Sequence, residues 1–190
     1  MRDREACERR VYRLAALLTG NPVAATRVIE AVVGAQPDLR ALDNAHMDRL
    51  TVLRSREIAS ARLVGDALPA AVAASLAALP PQQREAWVLS RVYELLPRET
   101  ARAMDCSVTA TARHLEQADV MMGRALGGQT DQAAQALLSY ALSLDVPAFY
   151  RLRQRRRRRI RLILRIAGIV LLMAVVTAAF ALVARRFFLP

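Results

Sequence analysis

The sequence predicts an all-α protein: two small helical domains, the second a helix-turn-helix, followed by one C-terminal transmembrane helix. Three observations carry this. Apolar residues recur at helical spacing through the first 150 residues, and no stretch alternates with period two for long enough to make a strand. Gly, Pro, Asn and Ser stand where helices have to stop and restart. Finally, 19 consecutive uncharged residues, Ile166 to Ala184, follow an arginine-dense segment.

The elements follow in order. Val11, Leu14, Ala15 and Leu18 fall on one helical face. Thr19-Gly20-Asn21-Pro22 stops that helix, with Gly20 suited to the left-handed C-terminal position. Ala25, Val28, Ile29 and Val32 repeat the pattern, and Gly34 is expected to close it. A third helix is expected over roughly Asp43 to Val64, with Leu50, Leu53 and Ile58 as its buried residues. These segments make a first domain, residues 1–65.

A second domain, 66–128, starts with an alanine-rich helix that turns Val72, Leu76 and Leu79 to one face. Pro80-Pro81 breaks it, and Pro81 suits the first position of the next helix, expected to run to about Leu95 with Val88, Val92 and Leu95 as its stripe and Trp87 beside them. Pro97 opens a short helix to about Met104. Ser107 is a good N-cap for a longer helix ending at Gly127-Gly128, with Val108, Ala112, Leu115, Ala118 and Met122 as its apolar face. A short helix, a tight turn and a longer helix outline a helix-turn-helix. Residues 129–150 form a connector in which Leu137, Leu138, Ala141 and Leu142 define one short amphipathic helix.

Charge divides the chain sharply. The net charge is +11, and every one of the 28 basic residues is arginine. Residues 1–150 hold 17 Arg and 17 acids and are balanced, whereas residues 151–190 hold 11 Arg and no acid. Overall basicity therefore says nothing about DNA for the first 150 residues. The segment 151–165 carries Arg155, Arg156, Arg157, Arg158, Arg159, Arg161 and Arg165 among its basic residues. Beside an uncharged run of spanning length, these residues are expected to hold the chain against an anionic lipid membrane. A helix over 166–184 covers roughly 28 Å, close to a bilayer core. The excess of arginine upstream of it predicts cytoplasmic N-terminal domains, a single-pass cytoplasmic (inner) membrane protein and a short tail, 185–190, on the other side. The opening MRDREACERR has no apolar run behind it, so no signal peptide is expected.

Residues 76–126, LAALPPQQREAWVLSRVYELLPRETARAMDCSVTATARHLEQADVMMGRAL, resemble the C-terminal DNA-binding domain of bacterial RNA polymerase sigma factors, most of all the small extracytoplasmic-function type. The resemblance rests on Leu79-Pro80-Pro81 followed by Gln83-Arg84-Glu85, on Trp87 and Leu89, on Glu99 and Ala101, and on Ser107-Val108 opening the recognition helix. Residues 11–33 resemble the opening of the family's N-terminal domain. The resemblance implies a helix-turn-helix that reads promoter DNA and an N-terminal domain that grips the RNA polymerase core. Its implied DNA-binding residues here are Thr109, Thr111, Arg113, His114, Gln117 and Arg124. Asp105 stands where the family has a turn glycine, a place Asp tolerates better than most residues.

The residues themselves temper that reading. From Ser107 to Leu126 there are two Arg and two acids, so the phosphate attraction that dominates DNA affinity is small. The segment MDRLTVLRSREIASAR carries no aromatic to capture unstacked bases. No phosphate loop, dinucleotide turn, paired-histidine helix or nucleophile elbow occurs, and two Cys with two His are too few and scattered for a zinc site. The expectation is a non-enzymatic, cofactor-free, membrane-tethered sigma-factor-like transcription regulator that binds promoter DNA, RNA polymerase core, or both. The alternative is a membrane-bound protein-interaction module, anti-sigma or scaffold-like, that keeps the fold, has lost DNA binding and engages another regulatory protein.

Overall fold

Asp3 begins the first helix by accepting the amide of Glu5 on its carboxylate, 3.1 Å. A computed structural model describes residues 3–36, 38–58 and 69–150, together with 167, 168 and 173. The chain divides into two units, Met1–Val146 and Pro147–Pro190. Among the described residues of the first are the α-helices α1 Arg4–Thr19, α2 Pro22–Ala35, α3 Asn44–Arg56, α4 Ala70–Ala78, α5 Pro81–Trp87, α6 Pro97–Met104, α7 Val108–Ala125 and α8 Thr130–Ser143. Among the described residues there is no strand.

Local chemistry sets these boundaries. Gly20 ends α1 in the left-handed conformation, φ 70°, where a residue without Cβ is unstrained. Asn21 accepts the amide of Val23 at 2.7 Å, and Pro22 occupies the first turn of α2. Asp43 caps α3 through the His46 amide, 2.7 Å. The stripes expected on α1, α2 and α4 are all buried. Gly34 does not close α2, which runs one residue further to Ala35.

Helix α3 departs most from the periodicity. It ends at Arg56, short of the expected Val64, and residues 59–68, including the 65/66 boundary between the expected domains, lie outside those described. Its buried face is Met47, Asp48, Thr51, Val52 and Ser55, while Leu50, Leu53 and Ile58 are half-buried. A polar stripe was invisible to a search for apolar spacing. Asp48 is buried because Arg10 of α1 meets it with two bonds, Nε–Oδ1 2.9 Å and Nη2–Oδ2 2.6 Å. The Arg10 guanidinium also lies 5.8 Å from the ring centre of Tyr93. Burial pushes the Asp48 carboxyl up despite this partner.

Helix α5 is the centre of the unit. Trp87, Val88 and Leu89 are consecutive and fully buried, and consecutive side chains cover over half the circumference of a helix. Such a segment must be enclosed. Helices α1, α6 and α7 pack on α5, and α8 packs on the π-helical stretch Val88–Val92 that continues it. The chain leaves helix at Tyr93 rather than at the expected Leu95, and Glu94 turns it at φ 52°. One core joins Leu14, Leu17, Leu18 and Val52 to Leu76, Trp87, Met104, Met122 and Leu137. In α8, Leu137 and Ala141 are buried, but Leu138 and Leu142 face outward, and Tyr140 and Ala134 fill the packed face instead.

Arginines tie the helix ends together. Arg84 is 6% exposed and donates to four carbonyls: Leu18 (3.1 Å) at the end of α1, and Leu76 (3.0 Å), Ala77 (3.1 Å) and Leu79 (3.0 Å) at the end of α4. Arg13 donates to Leu142 (2.7 Å) and Leu144 (3.1 Å) at the end of α8. Arg56 donates to Met104 (2.9 Å) at the end of α6 while pairing with Glu85 at 2.6 and 2.9 Å. These carbonyls belong to the last turns of helices, where acceptors are in excess and a cation is favoured.

Of the second unit, residues 147–150, 167, 168 and 173 are described. The arginine segment 151–165, with Arg155 to Arg159, Arg161 and Arg165, lies outside the described residues. So does the expected span 166–184 apart from Ala167, Gly168 and Met173, and so does the tail. Among the described residues no helix is long and apolar enough to cross a membrane.

Two outcomes follow. Arg84→Met preserves bulk but takes a donor from four carbonyls, most of them buried. It should cost about 3 kcal/mol, read by urea unfolding of the full chain in detergent through the fluorescence of Trp87, with Arg84→Lys recovering only part because an ammonium lacks the planar fork. Arg10→Ala leaves the buried Asp48 carboxylate unpaired and should cost about 3–5 kcal/mol at neutral pH. A carboxyl whose folded pKa is raised binds its proton more tightly when folded. The deficit is therefore full above the folded pKa and vanishes once the pH falls below the unfolded value of about 4. Unfolding curves of Arg10→Ala and the parent chain should converge as the pH is lowered towards that point.

Candidate nucleic-acid interface

Helices α6 and α7 meet through Asp105-Cys106-Ser107. Pro97 starts α6, and Glu99 reaches back to accept the Leu96 amide at 3.0 Å, half of a capping box. The helix stops as Asp105 adopts the left-handed conformation, φ 56° and ψ 45°, and the Cys106 amide returns to the Ala101 carbonyl at 3.1 Å. A short polar side chain is tolerated in this region at modest cost. Ser107 then accepts the Ala110 amide at 3.1 Å and caps α7.

Burial orients the pair. Thr100, Ala101, Ala103 and Met104 of α6 face the core. On α7 the inward stripe is Thr111, Ala118 and Met122, with Leu115 packed at its edge. Val108 and Ala112, expected on the apolar face, are exposed. Thr111 takes the buried position by satisfying its hydroxyl internally, on the Ser107 carbonyl and the Cys106 thiol, each at 3.0 Å. A threonine is nearly the shape of valine, and one local hydrogen bond makes it a core residue.

The six residues singled out for DNA therefore separate. Thr109, Arg113 and Gln117 are exposed on α7 and His114 is half-buried. Thr111 is 2% exposed and is turned away from any ligand of this surface. Arg124 is exposed but lies sixteen residues beyond Val108, about 24 Å along the helix axis. That is far from the N-terminal part of a recognition helix, which is the part that enters a major groove. Gln117 is bridged to Gln83 of α5, Nε2–Oε1 3.0 Å.

Two further features were missed by sequence reasoning. Arg98 and Arg102, four residues apart on α6, are exposed and line a depression of about 530 Å³ together with Ala101, Asp105, Cys106, Ser107 and Val108. Their spacing on a short helix beside the turn was the available signal. Second, Asp119 is neutralised. Arg91 binds it with two bonds, Nε–Oδ1 3.1 Å and Nη2–Oδ2 2.5 Å, and this partner raises the Arg91 pKa. The exposed surface of α6 and α7 thus carries Arg98, Arg102, Arg113 and Arg124 against Glu99, Glu116 and the turn residue Asp105, more basic than the count along α7 alone.

Within Gln83-Arg84-Glu85, two residues are internal. Arg84 ties α1 to α4, desolvation lowering its pKa, and Glu85 is 4% exposed and paired with Arg56. They build the platform under the helix-turn-helix rather than its outer face.

Residues 70–118 match the family model described as Sigma-70, region 4. No curated protein and no solved structure matches the chain. The matched stretch runs from the start of α4 through α5 and α6 into α7, ending at the buried Ala118. This part of the chain is similar to Sigma-70, region 4, a non-enzymatic transcription-factor domain, and folds as a helix-turn-helix.

Proposed function

We propose that this chain is a membrane-tethered, sigma-factor-like transcription regulator of the extracytoplasmic-function type that binds promoter DNA through α6 and α7. The observation that carries the proposal is the exposed trio Arg98, Arg102 and Arg113 around the open end of a capped recognition helix, in a segment that matches Sigma-70, region 4. Arginine supplies planar donors for phosphates and for guanine edges. The uncharged run 166–184 and the arginine segment before it support an anchor in the cytoplasmic membrane, with the helical head on the cytoplasmic side. Tethering would confine the head to a thin shell beside the membrane and raise its effective concentration for DNA held there.

A second reading rests on the apolar part of the same face. Val120 is 46% and Met121 38% exposed on α7, and Asp119 and Gln117 are already paired within the unit. A protein partner, either RNA polymerase core or another regulator, would cover that end of α7, while DNA takes the Val108 end.

The tests separate the two parts of the proposal. Full-length protein in detergent should bind a labelled 30-base-pair duplex at low salt in an anisotropy titration. Arg113→Gln should lower the slope of log affinity against log salt by about one; an unchanged slope would remove Arg113 from the interface. For the anchor, broken cells should yield the full chain in the high-speed pellet, released by detergent and retained in 1 M salt. A chain found in the supernatant without detergent ends the tethering proposal.

A further inference from the structure

The recognition surface does not end at the turn between α6 and α7. A second depression, about 280 Å³, is lined by Asp43, Ala45, His46 and Arg49 of the α3 end and by Arg102 and Asp105. Arg102 and Asp105 also line the larger depression that reaches Ser107 and Val108. The two hollows share these residues as walls and together make a grooved surface from the N-terminal turn of α3, past the turn, to the start of the recognition helix.

Its charge is defined by few groups. Arg49, Arg98 and Arg102 are its basic residues, with His46 beside them; Asp43 and Asp105 are the acids. Asp43 is engaged in capping α3 through the His46 amide. Asp105 accepts a single bond from Arg49, Nη2–Oδ1 2.8 Å, and both side chains remain largely accessible, 42% and 52% exposed. Exposed pairs of this kind are weak and exchange partners readily. Among the described residues, Arg98 and Arg102 have no ion-pair partner.

We infer that α3 contributes to the DNA interface: Arg49, from the first half of the chain, binds a backbone phosphate of the duplex that α7 engages, exchanging Asp105 for that phosphate. The inference rests on the DNA-binding reading above and extends it to a part of the chain that the region 4 match does not cover. A duplex with its major groove on the Val108 end of α7 runs its phosphates past the flanking helix and turn, which is where this groove lies. Phosphate competes well for the guanidinium because it accepts bidentate bonds and releases counterions on binding. The ion pair with Asp105 would then act as a placeholder that keeps Arg49 extended over the groove before DNA arrives.

Opposite effects from two single substitutions test this. Full-length protein in detergent is titrated against the same 30-base-pair duplex at several salt concentrations. Arg49→Gln should weaken binding roughly threefold to tenfold and lower the salt slope by about one. Asp105→Asn, which keeps a residue tolerant of the left-handed turn, frees Arg49 and should tighten binding roughly twofold to fivefold, as expected for removal of one nearby like charge. If the Arg49–Asp105 pair only braces the fold, both variants break the same bond and must weaken binding alike, with matching losses in unfolding midpoint. That result overturns the inference. So does an Arg49→Gln protein with unchanged affinity and slope while Arg113→Gln is impaired, which leaves the helix-turn-helix reading intact. An Arg49→Gln protein that keeps DNA binding but loses RNA polymerase core in a pull-down reassigns the groove to a protein partner and also overturns it. Absence of any duplex binding by the parent chain defeats both proposals together.

Discussion

Arginine guanidinium groups meeting helix C-terminal carbonyls are the constraint on which this fold depends. Arg84 holds the ends of α1 and α4, Arg13 the end of α8, and Arg56 the end of α6. Each bond joins one helix to the end of another, from the neighbouring helix, as Arg84 does with Leu76, to one 131 residues away, as Arg13 does with Leu144, and each reaches carbonyls of a helix's last turn. The chain has no lysine. A lysine would offer three donors around a point, whereas Arg84 places its donors on four carbonyls in a fixed plane. The caps bring the helix ends close, and the apolar core then fills around Trp87.

This arrangement couples the two halves of the chain. Glu85 and Arg84 are neighbours on α5, one reaching Arg56 of α3 and the other Leu18 of α1. The helix-turn-helix therefore rests on a base supplied partly by residues far upstream. Its functional surface inherits that geometry, since the α3 turn with His46 and Arg49 sits beside Asp105. The burial of Asp48 under Arg10 is part of the same joint, and the guanidinium offsets part of its desolvation cost while it stays in place.

Net charge along a helix proved a poor guide to the charge of a surface. Two Arg and two acids from Ser107 to Leu126 read as neutral. In the folded unit Arg91 pairs with Asp119, leaving Arg113 and Arg124 against Glu116 along α7, and Arg98 and Arg102 stand beside its start on α6. A phosphate responds to the field in space, which gathers side chains from several elements.

Some of this was determined by the sequence alone. The all-α class, the stop at Gly20, the start at Pro97, the cap at Ser107 and the stripes of α1, α2 and α4 all follow from interactions within a few residues, which local spacing records. The likeness of residues 70–118 to Sigma-70, region 4 was legible for the same reason, because the helices and turn that carry it are contiguous. Tertiary structure decided what depends on distant partners. Asp48, Thr51 and Ser55 form the inner face of α3 because α1, α2 and α6 enclose it, with Arg10 donating to the Asp48 carboxylate and Thr51 donating to the Met47 carbonyl. Thr111 is core rather than contact, and Arg84 is a clasp rather than an exposed charge. No periodicity encodes such choices: which face of a helix is enclosed depends on what the fold packs against it, and the partner of a buried polar group can lie 66 residues away, as Leu18 does for Arg84.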